Sequence, residues 1–302
     1  MKDVKIDLAV IGAMKSASTT ITDFLRQHPD VFVPERKLLN YFSYGMTGTV
    51  LSEGQRIEAT ATQNAVTTKA EYNAHFADAK PGQLLSDCSD SYYFFPGTAE
   101  RLHAHNPNMK IILVMREPVA RAFSSFNHAR SHMLETTEDF EAVMNRSLEE
   151  ESELLPIRRY KALGQYGRLV QPFVDRFGTK QMHLICFEEL IEDHEGTLAR
   201  LTRFLDVPEH KSERVWSNPT YVPPSGLAGK TLTALRRPAR WILRMSSGNL
   251  KLTLALRSLI KRIYQRPDPL DDALKQRFKP EFSDDIASLE ATFGAGFYSR
   301  WR

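Results

Sequence analysis

The sequence predicts one α/β domain over residues 1–302, a central mostly parallel sheet with helices on both faces and a P-loop-like phosphate-binding loop. Three observations lead there. Apolar, β-branched runs at 6–11, 83–87, 110–115 and 181–187 alternate with stretches of helical periodicity, the pattern of strand–helix–strand crossovers. The first run breaks at Gly12 into small hydroxyl residues around a single lysine, Lys15. The run at 110–115 is followed at once by Arg116 and Pro118. In an open parallel sheet both breaks fall at strand C-termini, where such sheets bind ligands.

The first element is a strand over 6–11, and after the break residues 19–27 read as an amphipathic helix with Ile21, Phe24 and Leu25 on one face. Strand, compact polar loop and helix together make an anion site. Small residues let the backbone approach, the first helical N–H groups point outward, and Lys15 adds a full charge. The nucleotide-triphosphate pattern G-x-x-x-x-G-K-[ST] does not fit, because Lys15 lies three residues after Gly12 and no second glycine precedes it.

The order Lys15-Ser16-Ala17-Ser18-Thr19-Thr20 resembles the 5′-phosphosulfate loop of the sulfotransferase family, usually Lys-x-Gly-Thr-Thr; Ala17 stands at the glycine and Ser18 at the first threonine. The resemblance continues through His28-Pro29, Lys37, Tyr41 and Phe42. Leu38 departs from it, occupying the position where bacterial and carbohydrate-type members carry the glutamate that serves as general base. A second block matches after the apolar run at 110–115. Arg116, Pro118, Arg121 and Ser124 have the form of the family's 3′-phosphate motif, with the serine eight positions after the first arginine. A guanidinium presents paired N–H donors to phosphate oxygens and a hydroxyl completes the contact, while Pro118 suits the first turn of a helix.

Between these blocks, 46–68 reads as a surface excursion, 69–77 as a short helix, and 83–87 as a strand ending in the polar cluster Asp87-Cys88-Ser89-Asp90-Ser91. Residues 96–105 read as a helix closed by Asn106-Pro107. His128 and His132 are four apart but lack the glutamate of a His-Glu-x-x-His zinc motif, so they are expected at the surface or on the acceptor side, and no metal is implied. Residues 135–155 read as one acidic helix, 160–177 as an amphipathic helix ending at Gly178, and 188–193 as a block whose acidic residues fix packing. The resemblance covers 10–205 and, more weakly, a helix over 282–293 and Trp301.

Residues 218–229 are rich in Pro and Gly and read as a mobile loop; relatives carry basic residues over the cofactor here, which makes Lys230 a further phosphate contact by resemblance. From 230 to 266 there are ten Lys or Arg and no Asp or Glu, so that without this block the net charge of +3 becomes −7. Such segregation, with Trp241, Ile242, Leu243 and Leu252 among the cations, fits an anionic membrane or a glycolipid acceptor. Elsewhere the charges are mixed, which argues against nucleic acid. Two cysteines, Cys88 and Cys186, make no disulfide framework, residues 1–7 lead into a strand with no apolar signal core, and no later run reaches the roughly 18 apolar residues of a membrane span; a cytoplasmic location is expected.

The resemblance implies transfer of a sulfuryl group from 3′-phosphoadenosine-5′-phosphosulfate to a hydroxyl or amine of a carbohydrate, glycolipid or small molecule, leaving adenosine 3′,5′-bisphosphate. It implies that Lys15, Ser16, Ala17, Ser18, Thr19, Thr20, Arg116, Ser124 and Lys230 hold the donor. With Leu38 unable to take a proton, Asp90 is the candidate base, because it aligns with the catalytic histidine of the family's cytosolic small-molecule branch; Asp87 and Glu35 are lesser candidates. Two alternatives remain: a P-loop kinase-like phosphotransferase, and a nucleotide-binding member without activity.

Overall fold

The computed structural model describes residues 3–46, 65–132, 134–211, 221–224, 226, 264–294 and 301. Five strands form the sheet: β1 (Leu8–Gly12), β2 (Val31–Phe32), β3 (Leu84–Cys88), β4 (Lys110–Met115) and β5 (Met182–Cys186). Their order is β2-β3-β1-β4-β5 and every pairing is parallel. From β1 the chain passes to the edge strand β2, returns to β3 beside β1, and then crosses to β4 and β5 on the other side, so the change of side falls at the C-terminal ends of β3, β1 and β4.

Alternation along the strands builds two cores. Ala9, Ile11, Ile111, Leu113, Met115 and Leu184 face one layer, which includes α3 (Thr98–His105), α4 (Pro118–Ser131) and α7 (Tyr166–Phe177). Leu8, Val10, Ile112, Val114 and Ile185 face the other, built from α1 (Ser18–Gln27), α8 (Phe187–Glu192) and α9 (His194–Leu205). Strands apolar on both faces belong in the middle of a parallel sheet. The fold class expected from the sequence is the one observed.

Several elements differ at their ends. The helix α2 (Lys69–Ala74) is shorter than expected, opened by Thr68, whose side chain accepts from Glu71 N. The single acidic helix over 135–155 is instead two short ones, α5 (Phe140–Met144) and α6 (Leu148–Ser152). Asp139 caps the first, and a Ser147–Glu150 capping box starts the second, so the chain re-nucleates where an uninterrupted helix was expected. Further on come α10 (Asp272–Phe278) and α11 (Ser283–Phe293), the latter as expected. Asp285 of α11 accepts from the backbone N–H groups of Gly167 and Arg168, capping α7 from a distant part of the chain.

Of the section 218–266, only 221–224, 226 and 264–266 are described; the mobile loop, the basic block and Lys230 otherwise lie outside the described residues, as does 47–64 of the surface excursion. The two flanks of that section meet in an antiparallel bridge, Val222 to Gln265. Tyr264 Oη donates to Ser131 O at 3.4 Å at the C-terminal end of α4, and Gly226 N donates to Glu138 Oε1 at 3.1 Å just before α5.

Candidate active site

The loop after β1 carries the candidate anion site. Lys15 and Ala17 both adopt left-handed backbone, φ 68° and 67°, which turns the chain sharply into α1. Ala17 is the N-cap and has no side-chain acceptor to offer, so the N–H groups of Ala17, Ser18 and Thr19 meet no protein acceptor among the described residues. Ser16 Oγ is buried and makes no hydrogen bond. Gly12 is required by a close approach: a Cβ there would lie 2.5 Å from Tyr93 Cδ1.

Arg116 leaves the end of β4 beside this loop. Its guanidinium lies over the Phe187 ring, 4.6 Å from the centroid, and its Nε is buried without a partner. The Tyr166 hydroxyl accepts from Arg116 N at 3.3 Å and donates to Arg116 O at 3.0 Å, holding the backbone on both sides. Glu117 caps α4 through Val119 N and Ala120 N, and Ser124 follows on that helix, half-buried. Arg121, the motif's second arginine, points into the core, donating to Tyr160 O. Glu188 accepts from Glu117 N, Cys186 Sγ and Trp301 Nε1, the packing role expected of that acidic block.

The segment after β2 is stitched over the end of β3. Leu38 N donates to Cys88 O at 3.2 Å, Asn40 N to Ser89 Oγ at 3.0 Å, and Ser91 Oγ to Asn40 Oδ1 at 2.7 Å. This places Lys37 against the first turn of α1, where its Nζ donates to Thr19 Oγ1. Asp90 sits half-buried between Lys37 and Lys15. Burial raises its pKa and the two lysines pull it back; the net direction is upward. Lys15 is pushed down to about 8 by burial, against the pull of Asp90 and with a further push from Arg116.

Asp87, a lesser candidate for the base, is excluded from that role by its surroundings. It is fully buried and its oxygens accept from Tyr72 Oη, Tyr92 Oη and Ser89 Oγ at 3.0, 2.7 and 2.7 Å, a saturated structural carboxylate. Glu35 is exposed. Two residues that the sequence did not single out for the donor site or the base lie beside the candidate residues, one of them expected at the surface or on the acceptor side. Lys37 is one. His128 is the other: half-buried on α4, one turn beyond Ser124, it is pushed down to about 3 by burial, Lys15 and His132, and therefore faces Lys15 as a neutral imidazole. Its ring lies 4.3 Å from that of His132. The signal available in the sequence was the spacing Ser124–His128–His132, which puts all three on one stripe of the helix.

A family model described as the sulfotransferase family matches residues 7–211, which include β1 to β5, the loop around Lys15 and the Arg116 block. The chain belongs to the sulfotransferase family. Among curated sulfotransferases it is 23% identical over 214 residues to a bifunctional heparan sulfate N-deacetylase/N-sulfotransferase 1 of Caenorhabditis briggsae, covering 68% of this chain and 23% of that protein. It is 25% identical over 198 residues to a heparan sulfate glucosamine 3-O-sulfotransferase 3B1 of Mus musculus, covering 65% and 45%. The chain thus spans less than half the length of either relative. The structure of a sulfotransferase from Alicyclobacillus acidocaldarius shares the fold, with a TM-score of 0.73, 22% identity and coverage of 99% of both chains. Among the described residues no helix is long and apolar enough to cross a membrane, and no group of His, Cys, Asp and Glu is arranged to hold a metal ion.

Proposed function

We propose that this sulfotransferase-family chain, acting as one catalytic unit over residues 1–302, moves a sulfuryl group from 3′-phosphoadenosine-5′-phosphosulfate to a hydroxyl or amine of a carbohydrate, glycolipid or small-molecule acceptor. The observation that carries the reading is the meeting of two incomplete anion sites at neighbouring strand ends. Ser16 Oγ, Arg116 Nε and the first N–H groups of α1 are donors without protein acceptors, and they fit a ligand with phosphate at both ends. Ser16, Ala17, Ser18, Thr19 and Thr20 with Lys15 would hold the 5′ side, Arg116 and Ser124 the 3′-phosphate; Lys230 is a further contact by resemblance alone.

When bound, the donor supplies an activated sulfuryl group and leaves as adenosine 3′,5′-bisphosphate. Lys15 and the loop N–H groups then face the oxygen on which negative charge grows. Asp90 would take the acceptor's proton, its carboxyl made more basic by burial while Lys37 and Lys15 pull the other way. The names of the heparan sulfate relatives, which include both N- and O-sulfotransferases, support a carbohydrate acceptor with either nucleophile. Two unpaired, buried cysteines support a reducing, cytoplasmic setting.

The test is incubation with radiolabelled donor and candidate glycans bearing free hydroxyl or amino groups, alongside calorimetric titration with the bisphosphate. Labelled glycan is the expected product. Tight bisphosphate binding with no labelled product across acceptor classes supports the second reading, a nucleotide-binding member without activity, which Leu38 in place of the family's glutamate favours.

A further inference from the structure

Arg116 keeps its guanidinium available although a carboxylate stands beside it. Glu188 is close enough for its charge to act on Arg116, yet the two form no ion pair and Arg116 Nε has no partner. An arginine paired bidentately to a carboxylate would have to give up that pair before it held a phosphate.

What occupies Glu188 instead is a set of three donors. Its Oε1 accepts from Glu117 N at 3.0 Å, and its Oε2 from Cys186 Sγ at 2.9 Å and from Trp301 Nε1 at 3.0 Å. Trp301 is the one donor of the three that comes from outside the β4 and β5 ends, and it is 2% exposed. The same indole packs on Tyr166, centroids 5.9 Å apart at 38°, and Tyr166 is the residue whose hydroxyl clamps Arg116 N and O. One side chain therefore touches both groups that decide where Arg116 points.

We propose that Trp301 is a positioning residue for the nucleotide site: its indole N–H holds the Glu188 carboxylate off Arg116, and its ring backs the tyrosine that fixes the Arg116 backbone, leaving the guanidinium free for a phosphate. This rests on the reading of Arg116 as the 3′-phosphate contact. Losing the indole N–H leaves Glu188 Oε2 with only the weak thiol donor of Cys186, and Arg116, on which the Glu188 charge already acts, is the cation that can then draw it away from the nucleotide.

The experiment is calorimetric titration of the full chain with adenosine 3′,5′-bisphosphate, with melting temperature measured in parallel. Trp301→Phe keeps an aromatic ring against Tyr166 but removes the N–H together with part of the buried bicycle, so the melting temperature is expected to drop while bisphosphate affinity falls on the order of tenfold. Glu188→Gln cannot form the competing ion pair, so this variant is expected to bind at least as tightly as the native chain. The double variant Trp301→Phe/Glu188→Gln is expected to recover the affinity of Glu188→Gln alone, a coupling that loss of packing would not produce. Native affinity in Trp301→Phe, weakened binding in Glu188→Gln, or a loss that persists in the double variant overturns the positioning role. Arg116→Ala separates the two levels. If it binds normally, the site reading fails and this inference with it; if it loses binding while Trp301→Phe does not, only the inference fails.

Discussion

Lys37 Nζ donates a 2.6 Å hydrogen bond to Thr19 Oγ1, tying the segment after β2 to the first turn of α1. Lys37 therefore stands across Asp90 from Lys15, and its charge opposes the upward push of burial on the Asp90 carboxyl. Tyr93 also faces Asp90. Removing Lys37 leaves burial less opposed, so in Lys37→Met the Asp90 pKa moves further up and the acid limb of kcat/KM moves to higher pH. A pH–rate profile checks this; an acid limb that stays in place detaches Lys37 from the base.

Asp90→Asn keeps the shape of the side chain and removes its basicity. Turnover is expected to fall on the order of 10²–10⁴, the usual worth of a general base, while bisphosphate affinity survives. Near-normal turnover in steady-state assays of this variant would return the role of base to another group.

Lys15 and Arg116 should separate by kinetics. Lys15→Ala mainly slows transfer, because the charge it answers grows only as the bond to the leaving phosphate breaks. Arg116→Ala mainly weakens bisphosphate binding, by about 1.5–3 kcal/mol for a charged hydrogen-bond partner. With Lys15 at about 8 in the free protein, only its protonated form answers the charge that grows on the leaving oxygen, so transfer should be fullest below that pH and decline as pH rises through it. Calorimetry on the two variants and a pH–rate profile check these statements.

Ala17 has φ 67° where relatives commonly carry glycine. A Cβ in left-handed backbone is costly, while glycine adds freedom to the unfolded chain and here gives up a small apolar contact, so Ala17→Gly should stabilise by about 0.5–1 kcal/mol. Urea denaturation measures it, and a destabilised variant would show that the Ala17 methyl contact outweighs the backbone.

Asp87→Ala should be far more damaging than its place beside the catalytic candidate suggests. It strips the acceptor from three buried hydroxyls, those of Tyr72, Tyr92 and Ser89, at about 1–3 kcal/mol for each group left unsatisfied. Loss of folded protein, rather than of turnover in a folded one, is the expected result in thermal melts.

What the sequence determined by itself is local and periodic. The run Lys110–Met115 is apolar throughout and became β4 with those bounds; Gly12 and Pro118 marked where strands give way to helices; and the loop from Lys15 and the Arg116 block were legible because backbone chemistry restricts which residues can stand there. Periodicity failed at 135–155, since Phe140, Val143 and Leu148 keep helical spacing through a break that the caps Asp139 and Ser147 impose. Only the tertiary structure decided the order β2-β3-β1-β4-β5, and with it every contact between residues far apart in the chain. That order brought Lys37 onto Thr19, set His128 facing Lys15, enclosed Asp87 in hydroxyls while leaving Asp90 at the cleft, and seated Trp301 on Tyr166. Protonation and burial depend on what stands across a few ångströms of space, and no spacing along the chain encodes that distance.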